Sequence, residues 1–379
     1  MEIVHSGFDS IYFAVQGALS PSALKRFESL KKYNPKDSAD ISFQVDDSDH
    51  RYFLQSSGKR GGYAYVINTG LCGSAIGFKT DLSRETFNGF VEISSACLLA
   101  NGWRQAIEQE LDHVKALGFH VVAISMNRAD YCIDFLNAGI EIDPREFVAH
   151  SRVQKKCYYE ANNVTNHIDI RTVSQSNSIK SITLGKMPNR QIILYDKRAE
   201  IILRRKFYWF DAWGIDRHDP TQTVHRVEVR AGKKHLLFHN IRTLEDFERS
   251  IGRVLTKAVK AIRWVKPLER DANISRAPLH PLWHRVQTHM DDALAPHLSP
   301  INERVITLRL RENKALQYKQ QITGNLGGYL GVKGVEPEDM KTKTLALINE
   351  VTAALSNDTP SPLLKSYHKT RDKWIESHH

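Results

Sequence analysis

Three short segments constrain this 379-residue chain more than any other part of it, because each alternates charged and apolar side chains with a period of two. They are Arg128-Ala129-Asp130-Tyr131-Cys132-Ile133-Asp134, Arg190-Gln191-Ile192-Ile193-Leu194-Tyr195-Asp196-Lys197 and His225-Arg226-Val227-Glu228-Val229-Arg230. In an extended strand residues i, i+2 and i+4 share a face. Arg128, Asp130, Cys132 and Asp134 then point one way, while Ala129, Tyr131, Ile133 and Phe135 point the other. Gln191, Ile193, Tyr195 and Lys197 form one face of the second segment, with Ile192 and Leu194 entering the core. Arg226, Glu228 and Arg230 oppose Val227 and Val229. Strands with one apolar and one polar face belong to an antiparallel sheet. The expected fold class is α+β: an antiparallel sheet with packed helices, followed by a helical carboxyl-terminal region.

If the three strands lie in one sheet, three carboxylates, several cations and one phenol gather on a single surface. A phenol has an ordinary pKa near 10, so a tyrosine nucleophile needs a nearby cation or base. Lys197 is expected to stabilise the phenolate of Tyr195. Asp130, Asp134 and Glu228 supply hard oxygen ligands suited to Mg2+ or Mn2+. Arg128 and Arg226 would hold phosphates or position the carboxylates. The same pattern also suits ordinary half-exposed strands tied by cross-strand Arg–Asp and Arg–Glu pairs, and from the spacing alone both readings stand.

The formal net charge of +10 favours anionic partners, DNA first and an anionic membrane a distant second. Residues 201 to 270 hold sixteen Lys or Arg against eight Asp or Glu. Arg204, Arg205, Lys206, Arg190, Arg230, Lys233 and Lys234 are the expected phosphate contacts. Tyr158, Tyr159, Tyr208, Trp209 and Phe210 either stack on unpaired bases or belong to the core. The four cysteines show no metal or disulfide spacing, and neither a secretory signal nor a membrane span is apparent, so a cytoplasmic protein is expected. His280, His284 and His289 lack the pattern of a metal site.

Along the chain, Ser20-Pro21 opens a helix carrying Ala23, Leu24, Phe27 and Leu30 on one side. Short strands are expected at Ser42–Val45, Tyr52–Gln55, Tyr63–Asn68, Ala75–Thr80 and Gly89–Ile93. A second helix spans Trp103–Leu117. Phe119–Ser125 and Arg128–Phe135 read as a strand pair, and Asp143-Pro144 as a helix start running to Val153. Thr243-Leu244-Glu245-Asp246 is a capping box for a helix to Trp264, and Lys266–Pro281 a linker. Helices Leu282–Leu294, Asn302–Gln321 and Pro337–Leu355 follow, with Gly324-Asn325-Leu326-Gly327-Gly328 as a turn and a loose tail after Asn357. The organisation expected is an amino-terminal α+β region over 1–118, a catalytic sheet over 119–265 and a helical region over 282–379.

The ordered segments Arg128-x-Asp130-x-x-x-Asp134, Arg190-x-Ile192-x-x-Tyr195-x-Lys197 and Arg226-x-Glu228 resemble those of the replication initiation factor (Rep_trans) family, which includes rolling-circle initiators and related relaxases. The resemblance covers roughly residues 120 to 235. It implies that Tyr195 is the nicking nucleophile, forming a 5′-phosphotyrosine, and that acidic residues among Asp130, Asp134 and Glu228 bind the divalent metal. It departs from the pattern at Leu184-Gly185-Lys186-Met187, where a glycine-serine element often precedes the tyrosine strand. A non-catalytic DNA-binding regulator on the same scaffold is the alternative. The segment after residue 281 would contact duplex DNA, a helicase or a second subunit, or simply buttress the sheet. One nucleophile per chain suggests a homodimer, since ending a replication round needs a second cleavage.

Overall fold

The computed structural model describes residues 1–32, 40–45, 50–150, 153–161, 164–169, 179–266, 276–290, 301–353 and 362–374. Its centre is one antiparallel sheet. The amino-terminal half contributes β1 (Glu2–Leu19), β2 (Ile41–Gln44), β3 (Arg51–Leu54), β4 (Tyr65–Asn68), β5 (Ala75–Phe78) and β6 (Phe87–Ile93). The other half contributes β7 (Phe119–Leu136), β9 (Lys155–Ala161), β10 (Val164–Asp169), β11 (Ile179–Lys186), β12 (Arg190–Asp196) and β13 (Val224–Gly232). These twelve strands run in the order β10-β9-β11-β12-β13-β7-β1-β6-β5-β4-β3-β2. Two short strands, β8 (Phe147–Ala149) and β14 (Ile262–Trp264), pair separately.

The α+β antiparallel architecture is therefore present, with the three alternating segments as adjacent strands β12, β13 and β7. Between β1 and β7 the pairing runs from Glu2–Leu136 to Leu19–Phe119, so the expected boundary at residue 118 falls inside one continuous sheet. Phe119–Leu136 is one strand rather than a strand pair. Neither Ser125, Met126 nor Asn127 supplies the positive φ of a tight hairpin, and the ladder to β1 continues past them with shifts in register.

One sheet face is apolar, and the helices on it bury it. Ile11, Phe13 and Val15 of β1, Ala129, Tyr131, Ile133 and Phe135 of β7, Ile192 and Leu194 of β12, and Val227 and Val229 of β13 all enter this core. On it lie α3 (Trp103–Ala116), α7 (Leu244–Lys260) and α8 (Pro281–Met290). Helix α7 begins at the capping box of Thr243 and Asp246. It buries Phe247, Ile251, Val254, Leu255, Ala258 and Val259, each of the larger ones contributing roughly 1.5–3 kcal/mol. Helix α1 (Pro21–Lys32) starts where Ser20 Oγ accepts from Ala23 N at 3.2 Å, as expected.

The opposite face carries the charged residues and a smaller cluster. That cluster comprises α2 (Ser95–Asn101), α4 (Lys197–Arg204), α5 (Tyr208–Trp213) and the start of α9 (Glu303–Val332). Tyr208, Trp209 and Phe210 are buried there, so of the two readings of these rings the core is the one realised. The side chains of Tyr158 and Tyr159 lie outside the described residues. Arg309 anchors α9 with paired bonds to the Asp211 carboxylate, both at 2.7 Å.

The expected turn at Gly324–Gly328 is absent, and α9 runs through it. A glycine costs only about 1 kcal/mol in a helix interior, and no proline blocks the ladder. Asp143-Pro144 starts only a 3-10 turn, Pro144–Glu146, before β8. Helix α10 (Met340–Ala353) follows α9, and α11 (Pro362–Trp374) occupies part of the tail expected to be loose. Most of the Lys266–Pro281 linker lies outside the described residues.

One buried acid sits apart from the charged face. Glu110 of α3 accepts from Thr69 Oγ1 at 3.1 Å, and burial pushes its carboxyl up to about 7. A folded-state pKa above the unfolded value means that folding favours the protonated acid. Its contribution is full below pH 4.5 and fades as pH rises towards 7, a swing of roughly 3 kcal/mol. Glu110→Gln should flatten that window in urea melts at graded pH, and an unchanged slope would place the titration elsewhere.

Candidate functional site

Strand pairing fixes which charges meet. Tyr195 of β12 stands opposite Arg226 of β13, which stands opposite Asp134 of β7. Glu228 pairs with Ile193 and Cys132, and Arg230 with Gln191 and Asp130. Because the side-chain period is two, all these residues share the sheet face away from the helical core.

Strand β1 adds a residue that the sequence reading missed. Phe8 pairs with Tyr131 and Ser10 with Asp130, leaving Asp9 as an extra residue in a β-bulge. A bulge of this kind re-aims side chains. Asp9 meets the guanidinium of Arg226, whose Nη1 donates to Oδ1 at 2.6 Å, and Ser10 Oγ donates to Asp130 at 2.8 Å. The available signal was the Ile11, Phe13, Val15 alternation, which marks β1 as a strand and fails to continue to Asp9.

Arg226 is the hub. It is fully buried, with Nε and Nη2 bonding the two Asp134 oxygens at 2.6 and 2.7 Å, and it lies over the Trp209 ring. Trp213 Nε1 also donates to Asp134, at 2.8 Å. Burial alone would raise the Asp9 carboxyl, but the charges of Arg226, Lys197 and Lys206 outweigh it and hold Asp9 well below the carboxylate range. Asp130 takes two bonds from Arg128, at 2.8 and 2.6 Å. Burial nonetheless pushes its carboxyl up to about 6; Arg128 opposes this and the nearby Glu228 charge adds to it.

The Tyr195 hydroxyl donates to Glu228 Oε2 at 3.1 Å, and Arg230 Nε donates to the other oxygen at 2.6 Å. Tyr195 is partly exposed. Burial of the hydroxyl, then the Glu228 charge, push the phenol well above 10 despite the opposing charge of Arg226. The resting residue is a neutral phenol with a carboxylate at its proton, which differs from the expected phenolate held by Lys197. Lys197 is not on the strand: Asp196 caps α4, its side chain accepting from Ala199 N, and Lys197 is the first helical residue. Buried, it pairs with Glu200 at 2.8 Å and lies over the Tyr195 ring at 5.7 Å.

A cleft of about 520 Å³ opens over this face, lined by Asp9, Ser10, Tyr12, Glu92, Arg128, Asp130, Lys206, Tyr208, Glu228 and Arg230 among others. Tyr195 is not in its wall and connects to it through Glu228. Tyr12, also unforeseen, donates to Glu92 at 2.9 Å beneath the Arg128 guanidinium.

The three carboxylates expected to hold Mg2+ or Mn2+ do not fit that role as arranged. Both oxygens of Asp134 are bonded to Arg226, both of Asp130 to Arg128, and those of Glu228 to Tyr195 and Arg230. Asp134 in particular is bonded by both Arg226 and Trp213. Among the described residues no group of three or more His, Cys, Asp or Glu is placed to hold a metal ion.

The expected phosphate contacts separate. Lys206 and Arg230 line the cleft. Arg204 is exposed on α4, and Arg205 bonds Gln320 of α9 at 3.0 Å. Arg190 and Lys234 line a cavity on the helical side of the sheet, and Lys233, on α6 (Lys233–Phe238), is tied to Ser125 Oγ at 2.7 Å. His280 stacks on Trp264 with ring centroids 3.9 Å apart. No described helix is long and apolar enough to cross a membrane.

No family model matches the chain, and no curated protein matches it in sequence. Among solved structures it is similar to a rolling circle replication initiator protein from Geobacillus stearothermophilus, at 13% identity and a TM-score of 0.41, over 76% of this chain and 96% of that one.

Proposed function

We propose that the chain cleaves and rejoins DNA strands, with Tyr195 as nucleophile, and that it initiates rolling-circle replication of a plasmid, phage or mobile element. The observation that carries this reading is the Tyr195–Glu228 hydrogen bond of 3.1 Å, set among three guanidiniums on one sheet face. The phenol cannot ionise alone at neutral pH, so its proton passes to Glu228 as Oη attacks phosphorus. A P–O bond to Tyr195 forms, the P–O3′ bond breaks, and the departing oxygen leaves as a 3′-hydroxyl with a proton from water. Arg230 and Arg128, each about a quarter exposed at the cleft, are the groups to hold the phosphate oxygens. Arg226 is fully enclosed and positions Asp9 and Asp134. Because the ester conserves the bond, the step reverses, which suits strand transfer. The same chemistry serves conjugative mobilisation equally well.

A DNA-binding regulator is favoured by one observation, that Tyr195 lies outside the cleft wall. Incubation with supercoiled origin plasmid, with and without manganese or magnesium, separates the readings: a nicked circle carrying covalently attached protein supports the enzyme, and binding without any adduct supports the regulator. Glu228→Gln should slow adduct formation by about 10²–10⁴-fold, because an amide accepts the hydrogen bond but not the proton. A wild-type rate in that variant would remove Glu228 as the base.

A further inference from the structure

On the helical side of the sheet a second cavity, of about 810 Å³, lies between the β11–β12 hairpin, the His150 segment and α6. His150, Lys186, Arg190 and Lys234 line it, and none of its described lining residues is Asp or Glu. Arg190 has the parity of Ile192 and Leu194, which enter the helical core, and so it turns away from Tyr195.

The surrounding field is positive as well. Burial, then His239 and Arg190, push His235 down to about 4, while burial, Lys257, Arg253 and Arg190 depress His239. The charges named on both imidazoles are all cationic, and buried His235 Nε2 has no hydrogen-bond partner among the described residues. By contrast, every arginine lining the catalytic cleft faces a carboxylate.

The backbone around the cavity is fixed. Lys234 N donates to Pro188 O at 3.0 Å, Gly232 N to Asn189 O at 2.7 Å and Gly185 N to Gln154 O at 2.7 Å. Gly185 has φ +92°, and a Cβ there would lie 2.4 Å from Arg190 O, so this hairpin cannot take an ordinary residue without moving. The segment that departs from the family pattern, Leu184-Gly185-Lys186-Met187, is thus the wall of a cationic cavity.

Lys186, Arg190 and Lys234, with no carboxylate among the described lining residues, give a cavity of nucleotide size that attracts phosphate. We infer that this cavity is a second DNA site, holding backbone phosphates on the side of the sheet opposite Tyr195. The inference rests on the reading of the partner as DNA, and it makes the protein a two-sided contact in which one strand segment is cut and another is held.

The test uses the full chain with Lys186, Arg190 and Lys234 all changed to Gln, and a control with exposed Lys25, Lys32 and Arg84 changed to Gln. Binding of fluorescent duplex and single-stranded origin DNA is measured across about 50 to 200 mM salt. The cavity variant should bind about 10- to 100-fold more weakly at low salt, with the slope of log K against log salt shallower by about 2 to 3, while the control stays near wild type. Wild-type affinity and slope in the cavity variant would overturn the inference. So would a mononucleotide that matches the oligonucleotide in affinity and is lost in the same variant, since the site would then take free nucleotide. Adduct formation, followed in parallel, separates the two readings: an adduct with unchanged slope sinks only the cavity, and a changed slope with no adduct sinks only the nucleophile.

Discussion

Tyr195→Phe is expected to abolish both the covalent adduct and nicking while leaving DNA affinity unchanged. Removing a covalent nucleophile typically costs on the order of 10⁶ in rate. The ring stays under the Lys197 ammonium, and Glu228 keeps its bond from Arg230. The fold should lose about 1 kcal/mol for the missing hydrogen bond. Denaturing gels with radiolabelled origin DNA read the adduct, and peptide mapping of the wild-type conjugate should place the phosphate on Tyr195. A persistent adduct in the variant would move the chemistry to another phenol, and Tyr12, bonded to Glu92 in the cleft wall, is the first to map.

The second large effect is on stability. Arg226→Met should destabilise the protein by about 3–5 kcal/mol, because it strands Asp134 in the interior with only the Trp213 donor and strips Asp9 of its partner. That is a large share of the usual stability of a domain, about 5–15 kcal/mol. The cost is of an unpaired buried carboxylate, so adding Asp134→Asn should restore a substantial part of it: the amide oxygen still accepts from Trp213, and only Asp9 keeps an unpaired charge. Denaturant midpoints for the two single variants and the double close the cycle. A double variant no better than Arg226→Met would mean that packing on Trp209 dominates instead of charge.

The loss of the Asp9 ion pair also has a pH signature. A carboxyl held low in the folded state stabilises above its unfolded value near 4, and that contribution disappears as the solution is acidified below it. Wild-type protein should lose this share of its stability in acid, whereas Arg226→Met has already lost the part that Arg226 supplies, Lys197 and Lys206 keeping the rest.

How much of this was legible depends on how local each signal is. The parity of β7, β12 and β13 could be read directly, since a period of two survives any tertiary context that buries one face, and the three strands are indeed neighbours. Parity was carried one residue too far at Lys197, where the Asp196 cap had already turned the chain into a helix. Asp9 escaped because the bulge that aims it ends the Ile11, Phe13, Val15 alternation just before that residue. The bond from Trp213 to Asp134 was not legible, because the two lie 79 residues apart in sequence. The glycines at 324 to 328 misled because glycine permits a turn without requiring one.

At Asp9, strand β1 carries a residue that its ladder with β7 does not pair, and there the chemistry can change apart from the fold. Excising Asp9 would bring Phe8 and Ser10 into a single register with Tyr131 and Asp130 and remove one of the four register shifts between β1 and β7, while taking away one partner of Arg226. A lineage could thus shed or regain this acidic contact by a single-codon deletion or insertion, with no change to the surrounding sheet order.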